Sequence, residues 1–150
     1  MKINFIGHGL DDKAAKNVGR ILCSAFNNSK YYNQFIGLAA FATNSGLSQI
    51  IPYIKDAKAS FKKITWYIGV NDQVTTKEAL QLLLDNGIET YIFFIEDKLF
   101  HPKVYIFEGE VRNKIVVGSS NLTRPGLFVR NIEASVEVDY DNQDSIGKKI

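Results

Sequence analysis

Three apolar runs constrain the fold of this chain more than any other feature. They are Phe35 to Ala42, Ile64 to Val70 and Ile88 to Ile95, all of strand length and rich in β-branched or aromatic residues. Between them lie segments with helical spacing: Leu47, Ile50, Ile51 and Ile54 after the first run, and Lys77 to Leu84 after the second, the latter closed by Asn86-Gly87. Strands that alternate with helices in this way are joined by crossovers, so the pattern predicts βαβ units and a largely parallel sheet. The first run is apolar at successive positions, which predicts a strand buried on both faces.

The flanks add further elements. Ile3 to Ile6 reads as a short strand, and Asp11-Asp12 are expected to cap a helix carrying Ala15, Val18, Ile21, Leu22 and Ala25, closed by Asn27-Asn28-Ser29. After Phe100 the rhythm changes to three strands, Lys103 to Phe107, Lys114 to Val117 and Ile132 to Val138. The expected fold class is therefore α/β, with a mixed, largely parallel central β-sheet flanked by helices.

A chain of 150 residues is one domain by size, able to bury roughly 68–70% of its unfolded surface. Hydrophobic residues make up 45% of it and charged residues 23%, which sets disorder aside, and the net charge of +2 permits a polyanionic partner without demanding one. Cys23 is the single cysteine, so an internal disulfide and a multi-cysteine metal cluster are excluded and Cys23 is read as core. The N-terminal run is broken by Asn4 and Gly7, and no apolar stretch approaches the length of a spanning helix, so no membrane association and a cytoplasmic location are expected. Residues 1–150 are read as one domain that can be a fragment of a longer chain. The stretch Asp144 to Ile150, which reads as the start of a helix, suggests an additional C-terminal recognition or helicase domain.

Candidate chemistry gathers in the last third. In HPKVYIF the strand period places His101 and Lys103 on one face and Val104 and Ile106 on the other, with Pro102 suited to a strand's first residue. In IVVGSSNLT an apolar strand runs into a turn of small polar residues, Gly118 to Thr123, which can cradle an oxyanion. In the last strand, alternation is expected to send Ile132, Ala134, Val136 and Val138 into the core and Asn131, Glu133, Ser135 and Glu137 outward together. Taken singly, each fragment has a plainer reading: a surface His–Lys pair, a strand exit closed by Asx and ST turns, and solvated strand decoration.

Together, HPKVYIF and GSSNLT resemble the phospholipase D superfamily, whose signature is H-x-K followed by a G-S-x-N-type turn. The longer stretch GSSNLTRPGLFVRNIE is similar to the nuclease domain of phospholipase D-like restriction endonucleases, in which an acidic residue downstream of the Asn supports the catalytic histidine. The resemblance implies a phospholipase D-like α-β-α sandwich and a metal-independent phosphodiesterase or endonuclease with no cofactor, cleaving DNA through a phosphohistidine. It assigns catalysis to His101, Lys103 and Glu133 and phosphate binding to Lys103, Ser119 and Asn121. The superfamily uses two histidines from two motifs; this chain has one motif, so the resemblance implies a homodimer that completes the site. His8, with no Lys two positions on, is read as structural or incidental.

Two departures bear on the assignment. Glu108 stands where the superfamily has Asp, and the interval between Lys103 and Gly118 is longer than usual, which favours Glu133 over Glu108 as the acidic partner. Lys55, Lys58, Lys62, Lys63, Arg112, Lys114, Arg124 and Arg130 are candidates for contacts to the nucleic-acid backbone. No base-reading module is apparent, so little sequence preference is expected from this domain. A lipid phosphodiesterase and a catalytically silent nucleic-acid-binding or dimerisation module are the competing readings.

Overall fold

The computed structural model describes residues 1–9, 16–128 and 131–143. Seven strands and four α-helices follow in the order β1 (Lys2–His8), α1 (Val18–Phe26), β2 (Gln34–Ala39), α2 (Asn44–Ala57), β3 (Lys63–Gly69), α3 (Lys77–Asp85), β4 (Glu89–Phe93), β5 (Lys103–Glu108), β6 (Arg112–Gly118), α4 (Arg124–Leu127) and β7 (Glu133–Asp141). The helices start where side-chain oxygens can accept from the free backbone N–H groups of the first turn. Asn17, Thr43, Thr76 and Thr123 each accept from the residue three positions on. Asn17, not the expected Asp11-Asp12, caps α1; those two aspartates and Ala15 lie outside the described residues.

The strands form one mixed sheet in the order β1-β7-β6-β5-β2-β3-β4. Only β2–β3 and β3–β4 pair in parallel, while β2–β5, β5–β6, β6–β7 and β1–β7 pair antiparallel. The sheet is therefore mixed, as expected, but its parallel part is smaller than the sequence suggested. The reason is in the connections: the three residues between β5 and β6 can close only a hairpin, and β1 returns to pair with the last strand. Both crossovers, through α2 and α3, step in the same direction across the sheet, and right-handed crossovers then place both helices on one face. Contacts of α1 and α4 with α2 put them in the same layer.

The core lies between that layer and the sheet. Trp66, Tyr105, Phe26, Phe35 and Phe107 are its largest fully buried side chains, with Phe107 in ring contact with Phe26, Tyr32 and Phe35. Cys23 packs at its margin as a half-buried thiol, pushed up to about 11 by burial. The opposite face of the sheet carries Ile36, Leu38, Val104 and Ile106, all partly accessible, so β2 is not sealed on both sides as expected. Among the described residues the helices cover one face only.

This arrangement reverses the expected facing of β7. Glu133, Ser135 and Glu137 turn toward the helices and are buried, whereas Ile132 is exposed and Val136 and Val138 are half-buried. The polar face can be buried because it has partners: Lys114 bonds Glu137 and Asp139, and Asn4 donates to Glu137 at 3.0 Å. Burial pushes the Glu137 carboxyl up, but the bond and charge of Lys114, with Asn4, outweigh it and hold the group below its ordinary value.

Two outcomes follow from this packing. Phe107→Ala removes the ring on which three aromatic neighbours pack and should cost about 3–5 kcal/mol in urea unfolding. A carboxylate lowered in the folded state stabilises above its unfolded value and loses that contribution on acidification. The urea midpoint should therefore fall as pH drops through 4.5, the ordinary value for Glu137, and fall less steeply in Lys114→Met.

Candidate active site

The parallel strands end where the candidate residues gather, the usual position of a binding site in an open α/β sheet. Ala39, at the end of β2, lies opposite Lys103, at the start of β5. Because successive strand residues alternate, Lys103, Tyr105 and Phe107 all point to the helical layer, and Lys103 is only 7% exposed while His101 is exposed. The Lys103 Nζ lies 2.8 Å from His101 Nε2 and donates to the His101 carbonyl at 3.1 Å. With Lys103 charged, Nε2 can only accept, which puts any ring proton on Nδ1 and leaves the Nε2 lone pair free of hydrogen. Burial lowers the Lys103 amine from its ordinary value, and the nearby charge of Glu133 opposes that shift.

The turn after β6 forms the other wall. Gly118 lies against β7 so closely that a Cβ there would come within 2.2 Å of Ser135 Oγ and 2.4 Å of the Ala134 carbonyl, so only glycine fits. Beyond it, Leu122 bridges to Ala42 in parallel, its N–H bonding the Phe41 carbonyl at 3.0 Å and its carbonyl accepting from Thr43 N–H at 3.0 Å. The Asn121 side-chain oxygen accepts from Phe41 N–H at 3.1 Å, which fixes the amide and turns its NH₂ group away as a donor. Below the turn the buried Tyr105 hydroxyl donates to the Ser120 carbonyl at 2.7 Å. Burial, reinforced by the charge of Glu133, pushes that phenol far above its usual range and keeps it a donor.

Glu133 is tied to this wall. Its carboxylate accepts from the Ser119 hydroxyl and, at 2.8 Å, from Asn131 Nδ2, while Ser119 Oγ accepts from Ala134 N–H at 3.0 Å. The five sequence candidates are thus gathered at one end of the sheet, but their pairing differs from expectation. Within one chain Lys103 bonds His101, and Glu133 bonds Ser119 and Asn131. Glu108 lies at the far end of β5 from Lys103, opposite Gln34.

The basic residues divide sharply. Lys63 begins β3, five positions before Ile68 in the row beside Lys103, so the Lys55 to Lys63 group sits at the wrong end of the sheet. Lys58 there binds the carbonyls of Asn86 and Gly87, and Lys62 and Lys63 pair with Glu110 and Glu89. Lys114 is held by its two carboxylates and Arg112 lies over the Tyr31 ring, while Arg130 is outside the described residues. Arg124, exposed at the start of α4, is the described candidate nearest the turn.

Sequence reasoning missed three neighbours of the site. Asn131 shares the face of Glu133, which alternation did indicate; Tyr105 was hidden as an ordinary core aromatic. His8, the register partner of Glu133, required knowledge of the β1–β7 pairing. No group of three His, Cys, Asp or Glu side chains placed to hold a metal occurs among the described residues, and none of their helices is long and apolar enough to cross a membrane.

The bond from Tyr105 to the turn gives a direct test. Tyr105→Phe leaves the buried Ser120 carbonyl unpaired and should cost about 1–3 kcal/mol in chemical denaturation, with little change in the far-ultraviolet spectrum.

Comparison with known proteins agrees with this fold. A search of curated proteins gives no match. Among solved structures, NucT from Helicobacter pylori superposes with a TM-score of 0.65 at 16% identity, over 99% of this chain and 90% of that one. Nuc from Salmonella typhimurium, a phospholipase D family member, gives 0.63 at 17% identity over 93% and 84%. Yeast tyrosyl-DNA phosphodiesterase gives 0.54 at 12% identity, over 91% of this chain and 32% of that one. Residues 20–146 match the family described as cardiolipin synthase, phospholipase D-like domain, so the chain belongs to the phospholipase D superfamily.

Proposed function

We propose that this protein is a metal-independent phosphodiesterase that cleaves DNA through a phosphohistidine, with each active site completed by a second copy of the chain. The observation that carries this reading is the 2.8 Å contact between Lys103 Nζ and His101 Nε2, at the end of the sheet where the turn after β6 stands. It supplies a nucleophile and a cation at one point, beside the Asn121 amide. DNA is favoured by the similarity of the fold to that of a tyrosyl-DNA phosphodiesterase and by the branch of the superfamily that GSSNLTRPGLFVRNIE resembles. The same branch suggests service as the cleaving part of a restriction system.

The chemistry divides among these groups as follows. A phosphodiester entering the site takes Lys103 from His101, so that the ammonium binds a non-bridging oxygen and the Nε2 lone pair is released. Nε2 attacks phosphorus; the N–P bond forms as the P–O bond to the leaving group breaks, and the departing oxygen takes a proton from His101 of the partner subunit. Water then attacks phosphorus, giving its proton to the partner subunit's His101, and the electron pair of the broken N–P bond returns to Nε2. The Asn121 amide donates to a phosphate oxygen, the Ser119 hydroxyl reaches the phosphate by releasing the carboxylate that holds its proton in the free protein, and Glu133 orders the turn on which both stand.

The test is cleavage of plasmid and single-stranded DNA in excess EDTA. Wild-type protein should cut, His101→Ala should lose at least about 1,000-fold in rate, and a denaturing quench at alkaline pH should trap DNA joined through phosphate to His101. Light scattering should find a dimer, and mixing His101→Ala with excess wild type should return less activity than the wild-type fraction predicts. Abolition by EDTA would remove the metal-independent reading. Hydrolysis of phosphatidyl lipid vesicles in place of DNA would favour a lipid phosphodiesterase, the alternative to which the family's description points.

A further inference from the structure

The protein has two histidines, and the mechanism uses one. His8 closes β1 and lies directly opposite Glu133 in the antiparallel β1–β7 ladder. Residues paired in this way point to the same face with their Cβ atoms roughly 4.5–5.5 Å apart, and both are buried, His8 to 5% exposure. Neither ring nitrogen of His8 has a hydrogen-bond partner. A sealed polar ring without partners costs free energy that an apolar side chain would not, so its presence calls for a role.

A second observation ties the same residue to the site. Gly9 adopts φ +89°, and a Cβ there would come within 2.1 Å of the Asn131 carbonyl and 2.9 Å of Ile132 Cα. The end of β1 is thereby pressed onto the segment whose Asn131 side chain bonds Glu133. A carboxylate has about four lone-pair positions; Ser119 and Asn131 engage one on each oxygen of Glu133, which leaves room for another donor.

Strand spacing limits what His8 can do. Between β5 and β1 stand β6 and β7, so His101 and His8 are separated by three strand intervals, about 14 Å. Two groups on opposite sides of one phosphorus atom sit much closer, so His8 does not replace the partner's histidine. We propose that His8 is a positioning residue of the active site, whose ring, without a partner in this structure, turns to donate an N–H to the facing Glu133 and through it holds Ser119 and the phosphate-binding turn in register. Its effect on turnover rests on the function proposed above, whereas its bond to Glu133 does not.

Two arms test this separately. In ¹⁵N-labelled wild-type protein, His8 should show a single ring tautomer with an exchange-protected N–H, and Glu133→Ala should average the tautomers and expose that proton. Rapid tautomer exchange at His8 in the wild type would overturn the proposal whatever the protein cleaves. In the kinetic arm, His8→Phe should keep or raise the melting temperature yet lower kcat about tenfold with KM within about twofold, and His8→Gln, which keeps a donor, should recover most of the loss. A His8→Phe protein with wild-type kcat would also overturn it. A wild type that cleaves no phosphodiester would instead overturn the proposed function, leaving the ring spectrum to decide the role of His8.

Discussion

The site depends on one junction, the docking of the turn after β6 against the end of β2. Three backbone-level bonds make it: Leu122 to Phe41, Thr43 to Leu122, and Phe41 to the side chain of Asn121. Through them the antiparallel half of the sheet, which carries His101 and Lys103, is joined beyond the strands to the parallel half. The junction also fixes the Asn121 amide by occupying its oxygen. The donors around the opening are thus set before any ligand arrives, the condition under which oriented dipoles act most strongly on a developing charge.

The second organising feature is a sheet whose buried face is polar at one side and aromatic at the other. Phe35, Trp66, Tyr105 and Phe107 fill the centre, while Asn4, Lys114, Glu133, Ser135 and Glu137 lie toward the β1 edge. Buried ionic groups of this kind contribute little net stability compared with an apolar replacement. What they add here is order: Lys114 engages two residues of β7, and Glu133 engages Ser119 just beyond β6. The strand that carries Glu133 is thereby located by specific bonds as well as by its ladder.

Much of this was legible in the sequence. The βαβ portion, the helix ends at Asn27 and Asn86 and the shared face of His101 and Lys103 follow from periods of 3.6 and 2 and from local capping chemistry. Alternation also grouped Asn131 with Glu133. It could not say which of two faces meets the helices, and the apolar run Ile132 to Val138 pointed to the wrong one because its polar alternates find partners on β1 and β6. The extent of antiparallel pairing was obscured because β1 pairs with the strand farthest from it in the chain. His8 was invisible for the same reason: its neighbour Glu133 is a matter of register, not of local pattern.

The bond between Phe41 and Asn121 spans 80 positions of sequence. A contact that distant forms only after the intervening chain has folded, since the cost of closing so long a loop must be met before the bond can form. The Asn121 amide is therefore left unfixed, and the turn undocked from β2, in any chain still being synthesised or locally opened. For a protein whose proposed chemistry is the cutting of DNA, this makes the finished fold itself the safeguard: an immature chain has no assembled blade.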